Sequence, residues 1–380
     1  MNLLTGAASL LLISGTSAAF AEDGFTPLFN GRDLTGWVNI NCAPDTFTVT
    51  NGMIHCTGVP TGILRTERMY QNFVLEAEWR HLKPKGNSGI YVWADPVPAV
   101  GQPFVRAVEV QVLDGQEGEW FTSDGDLFPI HGAKMVPENG RKGGDRAFPT
   151  EKRMKPSPEW NHYRVECIDG DISLAVNGKV VTRGHRATPR KGYIGLESEG
   201  SPAEFRNLQV KELPAKEALA PDDIARIPEL LRPLYTGVDL HGWQVTPEIS
   251  SHWQVKDWTL AHDGTGPALT CESEFGDFIL SADFRWSEET NPGDWRQLVS
   301  TRFGDALTKV LADHPAMEKK AGTWNRLRFT FIGNSAYVVL NGQSVISNVA
   351  ILGAPPRGPL TLQSTGKKVE WANLLFREVD

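Results

Sequence analysis

Short stretches in which hydrophobic and polar residues alternate recur along the chain. The clearest is FVLEAEWR at residues 73–80, where acidic side chains at 76 and 78 alternate with apolar ones. A period of two is typical of a strand with one buried face. Similar stretches lie at residues 163–167, 172–176, 193–197 and 205–210. Many short strands with little helical periodicity predict an all-β fold of the two-sheet sandwich type.

This pattern occurs twice. LFNGRDLTGW at 28–37 returns as LYTGVDLHGW at 234–243, and residues 73–80 return as FILSADFR at 278–285. Later matches keep the same order: Trp160 with Trp324, Asn177-Gly178 with Asn341-Gly342, Glu197 with Gln363, and Asn207 with Asn373. Such order indicates a tandem duplication. We predict two sandwiches, at residues 25–212 and 233–380, joined by a short, partly helical linker at 213–232.

The two copies differ in length at one place. The first has about 41 more residues between Phe73 and Trp160 than the second has between Phe278 and Trp324. An addition to a shared scaffold is where function is usually found. We therefore look for a site in the first copy, and predict that the second copy lacks its activity.

The added residues carry ionisable groups in a β-patterned context. Glu109 and Gln111 share one face of a predicted strand, and Asp126 and His131 follow in a loop rich in Gly and Pro. Glu109, Asp126 and His131 are our candidate catalytic residues, because carboxylates and imidazoles transfer protons. The same three side chains are candidate ligands for one divalent cation. A solvated strand face and a structural loop histidine are the alternatives.

Other polar and aromatic side chains are candidates for holding a substrate. Asn and Ser side chains bind hydroxyl groups, Arg and Lys bind oxygen atoms, and Trp provides a flat apolar wall. The candidate substrate-binding residues are Arg65, Asn87, Ser88, Trp93, Gln111 and Lys155. Turn capping, ion pairing and core packing are the alternatives for each type.

The net charge and the apolar runs of the chain indicate which classes of partner and which location to expect. The chain has 380 residues and a net charge of −8, which argues against a nucleic-acid or anionic-membrane surface. Residues 1–21 contain an apolar run that ends in Ala19-Phe20-Ala21, a signal-peptide pattern that predicts export to the periplasm or the extracellular space. No later apolar run is long enough to span a bilayer. Nothing indicates an oligomeric state.

Four cysteines are present: Cys42, Cys56, Cys167 and Cys271. Cys42 and Cys56 flank one predicted hairpin, so an oxidising compartment permits a disulfide between them. Free buried thiols are the alternative. Motifs for nucleotide cofactors, zinc and serine hydrolases do not occur.

Five segments carry a resemblance to a known family: LFNGRDLTGW, GNSGIYVW, EVQVLD, PEWNHYRV and VNGKVV. They resemble the 3-keto-disaccharide hydrolase family over almost all of the first copy, while the second copy looks like a degenerate version. The resemblance implies concanavalin-like jelly-roll sandwiches, frequent export, and action on glycosides oxidised at C3 of the sugar. EVQVLD is also similar to the catalytic strand of laminarinase-type glycosidases, with an amide in place of the middle carboxylate.

A ketone at C3 makes the hydrogen on C2 acidic. A base can remove that hydrogen, the group on C1 can leave by elimination, and water can then add, which gives net hydrolysis. Our hypothesis gives Glu109 or His131 the role of base or acid, without deciding which residue has which role, and Arg65, Lys155 or a divalent cation would polarise the ketone. The competing hypothesis is a carbohydrate-binding protein without chemistry, a role that also suits the Trp-rich second copy.

Overall fold

The computed structural model describes residues 24–115, 124–141, 144–215, 218–226, 230–289, 292–315 and 317–379. The proposed signal peptide at 1–21 lies outside these ranges. The described residues form two β-sandwiches in sequence order, which confirms the predicted all-β fold. No helix among them is long and apolar enough to cross a membrane.

The first sandwich has a nine-stranded and a six-stranded antiparallel sheet. The larger sheet consists of β1 (Thr26–Pro27), β3 (Phe47–Thr50), β4 (Met53–Cys56), β6 (Phe73–His81), β10 (Lys134–Pro137), β11 (Asn161–Ile168), β12 (Asp171–Val176), β13 (Lys179–Thr188) and β15 (Ala203–Glu212). The smaller sheet consists of β2 (Trp37–Ile40), β5 (Gly62–Thr66), β7 (Asn87–Ala94), β8 (Ala107–Leu113), β9 (Leu127–Ile130) and β14 (Tyr193–Ser198). Its strand order is β2-β5-β14-β7-β8-β9, so β7 lies between β14 and β8.

The second sandwich has an eight-stranded and a three-stranded sheet. The larger sheet consists of β16 (Arg232–Pro233), β17 (Trp253–Lys256), β18 (Thr259–His262), β20 (Phe278–Trp286), β22 (Asn325–Ile332), β23 (Ser335–Leu340), β24 (Gln343–Ala350) and β26 (Val369–Glu378). The smaller sheet consists of β19 (Leu269–Phe275), β21 (Val299–Ser300) and β25 (Gly358–Leu362). Two α-helices, α1 (Pro247–His252) and α2 (Gly304–Ala312), belong to this half of the chain.

The two larger sheets have the same strand order. In the first sandwich it is β13-β12-β11-β6-β15-β4-β3, and in the second it is β24-β23-β22-β20-β26-β18-β17. The matched pairs Asn177-Gly178 and Asn341-Gly342 form hairpin turns with positive φ at both residues: 48° and 86° in the first, and 53° and 80° in the second. In the described part of the second sandwich, the smaller sheet has no strands in the places of β8 and β9. These strands belong to the added segment of the first copy.

Alternating side chains separate the core from the outer face of each sheet. On β11, Tyr163 and Val165 are buried while His162 and Arg164 are partly exposed. On β8, Val108, Val110 and Val112 pack into the core between the two sheets of the first sandwich. The alternate positions on β8 therefore face away from that core.

The linker has little regular structure. Its described residues form one 3₁₀ turn, Pro221–Asp223. The carboxylate of Asp223 pairs with Arg190, at 3.0 Å from a guanidinium nitrogen, and Ala225 N donates to Lys191 O at 2.7 Å. These contacts hold the linker against the first sandwich.

Candidate active site

The candidate site is a pocket on the outer face of the six-stranded sheet. Because Val110 and Val112 enter the core, Glu109 and Gln111 point out of the opposite face. The pocket has a volume of about 360 Å³. Its lining residues are Asn87, Gln102, Phe104, Glu109, Gln111, Phe128, Pro129, Ile130, His131, Arg146, Glu197 and Glu199.

Three carboxyl groups meet in this pocket: Glu109 on β8, Glu197 on β14 and Glu199 just beyond β14. Between β8 and β14 lies Gly89 of β7, where an added Cβ would be 2.9 Å from both Glu109 Cγ and Glu197 Oε2. Because glycine has no side chain, there is space at Gly89 for the carboxyl groups of Glu109 and Glu197. The Tyr91 hydroxyl donates a hydrogen bond to Glu197 Oε1.

Burial and mutual repulsion raise the pKa values of these carboxyl groups. Glu109 is 7% exposed and Glu197 is 2% exposed. Desolvation, reinforced by the charge of Glu199, raises the pKa of Glu109 to about 8, although Arg146 opposes the shift. Desolvation and the charge of Glu109 raise the pKa of Glu197 well above its ordinary range, and burial also raises the pKa of Glu199. At neutral pH the pocket therefore contains protonated carboxylic acids.

A chain of hydrogen bonds fixes the floor of the pocket. Arg146 donates to Asp126 Oδ2 at 2.6 Å and to Gln111 Oε1 at 3.1 Å. Gln111 Nε2 donates to Asn87 Oδ1 at 2.8 Å, and Asn87 Nδ2 donates to Glu199. The chain fixes the amide orientations of Gln111 and Asn87, because each must accept from one partner and donate to the next.

His131 and Phe104 form one wall. Their rings stack with centroids 6.0 Å apart and planes at 20°. His131 has φ of 49°, at the end of the β9 segment, and is exposed to solvent. Desolvation by the surrounding protein lowers the pKa of its imidazole below the ordinary 6.5, so the ring is neutral at pH 7.

Four predicted substrate-binding residues do not line the pocket. The Arg65 guanidinium is buried and donates to the carbonyl oxygens of Pro96 and Thr66. Ser88 lies on the inner face of β7 and donates to the Glu197 carbonyl at 2.8 Å. Trp93 is buried in the core, and Lys155 is exposed in the loop before β11. Of the six predicted substrate-binding residues, the structure thus brings Asn87 and Gln111 into this pocket and places the other four outside it.

Asp126 is close to the pocket but is not among its lining residues. Its side chain is fully buried and forms an ion pair with Arg146. The described residues contain no group of three or more His, Cys, Asp or Glu side chains placed to hold a metal ion. Glu109, Asp126 and His131 thus do not form the predicted cation site, because Asp126 faces a guanidinium rather than the other two groups.

The predicted pair Cys42–Cys56 is not a disulfide. All four cysteines are buried free thiols. Burial raises the pKa of Cys42 well above its ordinary value and that of Cys56 to about 11. The alternative of buried free thiols is the one that the structure shows.

Glu197, Glu199 and Arg146 line the pocket but were not predicted from the sequence. A signal for Glu197 was present, since the matching position in the second copy is Gln363. A carboxyl group in one copy and an amide in the other, on an otherwise shared strand, marks a difference in chemistry. Arg146 is the only Lys or Arg among the described residues that line this pocket.

A larger cavity, about 610 Å³, lies on the second sandwich. Its charged side chains neutralise each other: Arg285 pairs with Glu370 at 2.5 Å, and Lys368 pairs with Glu289 at 2.9 Å. Paired, partly exposed charges of this kind are ordinary surface ion pairs. The unbalanced acidic cluster of the first sandwich is the better candidate for chemistry.

The family match identifies this β-sandwich with an acidic pocket as a carbohydrate-active, glycosyl hydrolase-like protein. The family whose model matches residues 24–211 and 293–377 is that of the 3-keto-alpha-glucoside-1,2-lyase-like domain. The chain belongs to this family, which confirms the resemblance drawn from the sequence.

The chain is also similar to individual proteins. A 3-keto-disaccharide hydrolase of Bacteroides thetaiotaomicron is 26% identical over 242 positions, covering 50% of this chain and 79% of the relative. A crystal structure of a candidate glycosyl hydrolase from Parabacteroides distasonis is 24% identical with a TM-score of 0.40, covering 50% of this chain and 94% of that one. Carbohydrate-binding module CBM66 from Bacillus subtilis is 12% identical with a TM-score of 0.34, covering 47% and 96%.

Proposed function

We propose that this protein cleaves the glycosidic bond of glycosides that carry a ketone at C3 of the sugar. The observation that carries the proposal is the set of three carboxyl groups, Glu109, Glu197 and Glu199, in one desolvated pocket. The family and the named activity of the Bacteroides relative supply the substrate class. A binding protein without chemistry has no need for a carboxylic acid that stays protonated at neutral pH.

His131 is the proposed base. Its imidazole is neutral at pH 7 and lines the pocket, so it can accept the proton from C2 of the sugar. The electron pair of the C2–H bond then forms an enediolate with the C3 ketone. Arg146 is the cation of the pocket and would stabilise the negative charge that develops on the C3 oxygen.

Glu109 is the proposed acid. With a pKa of about 8 it holds a proton at neutral pH, and it can pass that proton to the leaving oxygen as the C1–O bond breaks. Elimination leaves a C1–C2 double bond conjugated to the ketone, and addition of water across that bond completes the net hydrolysis. Glu197, Glu199 and Asn87 would hold hydroxyl groups of the sugar.

Substituting Glu109 tests the assignment. With a 3-keto-glucoside that has an alkyl or sugar leaving group, Glu109→Gln should reduce kcat about 10²-fold to 10³-fold, because the leaving oxygen receives no proton. With a nitrophenyl leaving group the loss should be much smaller, because nitrophenolate leaves without protonation. His131→Asn should lose activity with both substrates, since removal of the C2 proton is needed in either case.

Glu159→Gln is the matched control, because Glu159 is exposed in the loop before β11. Its turnover should equal that of the unmodified protein. Full turnover by Glu109→Gln would contradict its role as the acid. Binding of the 3-keto-glucoside without turnover by the unmodified protein would favour the carbohydrate-binding alternative.

We also propose that the protein is exported. The support is the apolar run that ends in Ala19-Phe20-Ala21, together with the acidic residues Glu22 and Asp23 that follow it. The substrate would then be met outside the cytoplasm, in the periplasm or beyond the cell.

A further inference from the structure

The loop that connects β7 to β8 forms part of the pocket. It spans residues 95–106, and its Gln102 and Phe104 side chains line the cavity beside Glu109. Within the loop, Ala99 N donates to Phe104 O at 2.9 Å and Gln102 N donates to Ala99 O at 3.1 Å. The position of residues 98–101, the tip of this loop, therefore determines where the Gln102 and Phe104 side chains lie.

Side chains of the second sandwich hold the main chain of this tip. Asp283 Oδ2 accepts a hydrogen bond from Gly101 N at 2.8 Å. Arg326 donates to Pro98 O at 2.9 Å, and Asn373 donates to Ala99 O at 3.1 Å. Asp283, Arg326 and Asn373 lie on the adjacent strands β20, β22 and β26, so one face of one sheet supplies all three.

The three holding residues are themselves fixed. The Asp283 side chain has no exposed surface, and Arg326 donates to its two oxygens at 2.6 and 2.8 Å. Asn373 also donates to Asp283 Oδ2, at 2.6 Å. A buried carboxylate with this many donors is ordered, and charge-assisted bonds of this kind are strong.

Gly101 fits against Trp324 with no room for a side chain. Its φ is 67°, and an added Cβ would lie 2.1 Å from Cγ and 2.2 Å from Cδ1 of the Trp324 ring. The tip is thus matched to the second sandwich in shape as well as in hydrogen bonding.

The equivalent face of the first sandwich holds no such loop in the part of the chain that the structure describes. Glu78 is at the position of Asp283, and there it pairs with Arg206 at 2.6 Å with a quarter of its side chain exposed. Trp160, at the position of Trp324, is covered by the guanidinium of Arg206 at 3.9 Å. Asn207 is at the position of Asn373 and is exposed. The docking face is therefore a specific feature of the second sandwich.

We propose that the second sandwich acts as a brace for the active site: Asp283, Arg326 and Asn373 are positioning residues that fix the 95–106 loop, and through it Gln102 and Phe104. This inference rests on the proposed function, because it takes the pocket as the place where substrate binds. Ordering a loop in advance removes part of the entropy that substrate binding would otherwise cost.

Two variants of the full chain test the brace. Gly101→Ala forces the tip away from Trp324, and Asp283→Asn removes the charge that holds the Gly101 amide. In both we expect KM for a 3-keto-glucoside to rise about tenfold with a smaller fall in kcat, because Gln102 and Phe104 lose their order, while Glu109 stays in place and His131 loses only its stacking contact with Phe104. The double variant G101A/W324A should recover part of the KM, since the clash is removed.

Glu78→Gln is the control for Asp283→Asn, because it makes the same chemical change at the equivalent position of the first sandwich. It should leave KM unchanged. Hydrogen exchange of the 95–106 amides gives a readout that needs no substrate, and we expect faster exchange in Gly101→Ala and Asp283→Asn only. If exchange and KM are both unchanged in Gly101→Ala, the brace is wrong. If exchange is faster but the unmodified protein does not cleave the substrate, the proposed function fails and the brace stands.

Discussion

The carboxyl group of Glu109 makes the stability of the protein depend on pH. Its pKa is about 8 in the folded state against an ordinary 4.5, so between these values the folded state binds a proton that the unfolded state has lost. The free energy of unfolding contributed by this group is therefore highest below pH 4.5 and decreases as the pH rises to 8. At about 1.4 kcal/mol for each pH unit, the total decrease is on the order of 5 kcal/mol.

Glu109→Gln should remove this dependence, because the amide resembles the protonated acid. Urea unfolding should show the variant close to the unmodified protein at pH 5 and more stable than it at pH 8. A remaining slope is expected from Glu197, whose pKa is raised in the same direction. Parallel pH profiles for the two proteins would show that Glu109 is ionised in the fold. Glu109 would thus lower the free energy of unfolding at pH 8, and the residue would be kept because the activity needs its acid group.

At the scale of elements, the strand pattern predicted the scaffold but not every side-chain direction. Trp93 follows Gly89 and Tyr91 at a period of two, which predicts that its side chain shares their outer face of the sheet. A register shift between β7 and β14 adds one residue opposite Tyr193–Gly195, and Trp93 adopts φ of 53° there. This bulge turns Trp93 into the core, where its indole donates to Gln71 O at 2.8 Å. A bulge of this kind depends on the neighbouring strand, so local alternation cannot reveal it.

The candidate site was predictable in part where the two copies differ, although Arg146 of the added segment was missed, and not where it uses shared strands. Glu109, Gln111, Asn87 and His131 were found because they lie in or beside the added segment. Glu197 was missed because β14 is a scaffold strand in both copies, and its approach to β8 is set by sheet order rather than by sequence distance. Arg65 was misassigned because its cationic side chain satisfies carbonyl groups inside the protein, which a sequence does not display.

The close approach of β8, β7 and β14 at Gly89 leads to a prediction about one strand. Gly89→Ala should reduce kcat about tenfold or more while changing the melting temperature little, because the methyl group displaces the flexible carboxyl ends of Glu109 and Glu197 rather than backbone. Gly195→Ala on β14 is the control, since its Cβ would meet Ile63 Cγ2 at 3.1 Å and no carboxyl group. Equal activities of the two variants would show that the spacing of the carboxyl groups does not matter.

At the scale of the whole molecule, the duplication divides two tasks between two copies of one scaffold. The first copy gained strands that carry the pocket, and the second copy presents Asp283, Arg326 and Asn373 to the loop beside that pocket. The second copy has an amide, Gln363, where the first has Glu197. The loss of the acidic group and the presence of the docking face are consistent with a supporting role.

The last prediction concerns the whole chain after export. Four buried free thiols would reach an oxidising compartment, but burial raises the pKa of Cys56 to about 11 and that of Cys271 to about 12, and the thiolate is the reactive form. We expect the exported protein to begin at Glu22 and to have an intact mass without the hydrogen loss that a disulfide causes. A thiol reagent should label its cysteines only after unfolding.

The same protein retained in the cytoplasm, through a charged substitution in the apolar run at 3–13, is the control for processing. A full-length N-terminus in the exported fraction would contradict the signal peptide, and oxidised Cys42 and Cys56 would contradict the protection of thiols by burial.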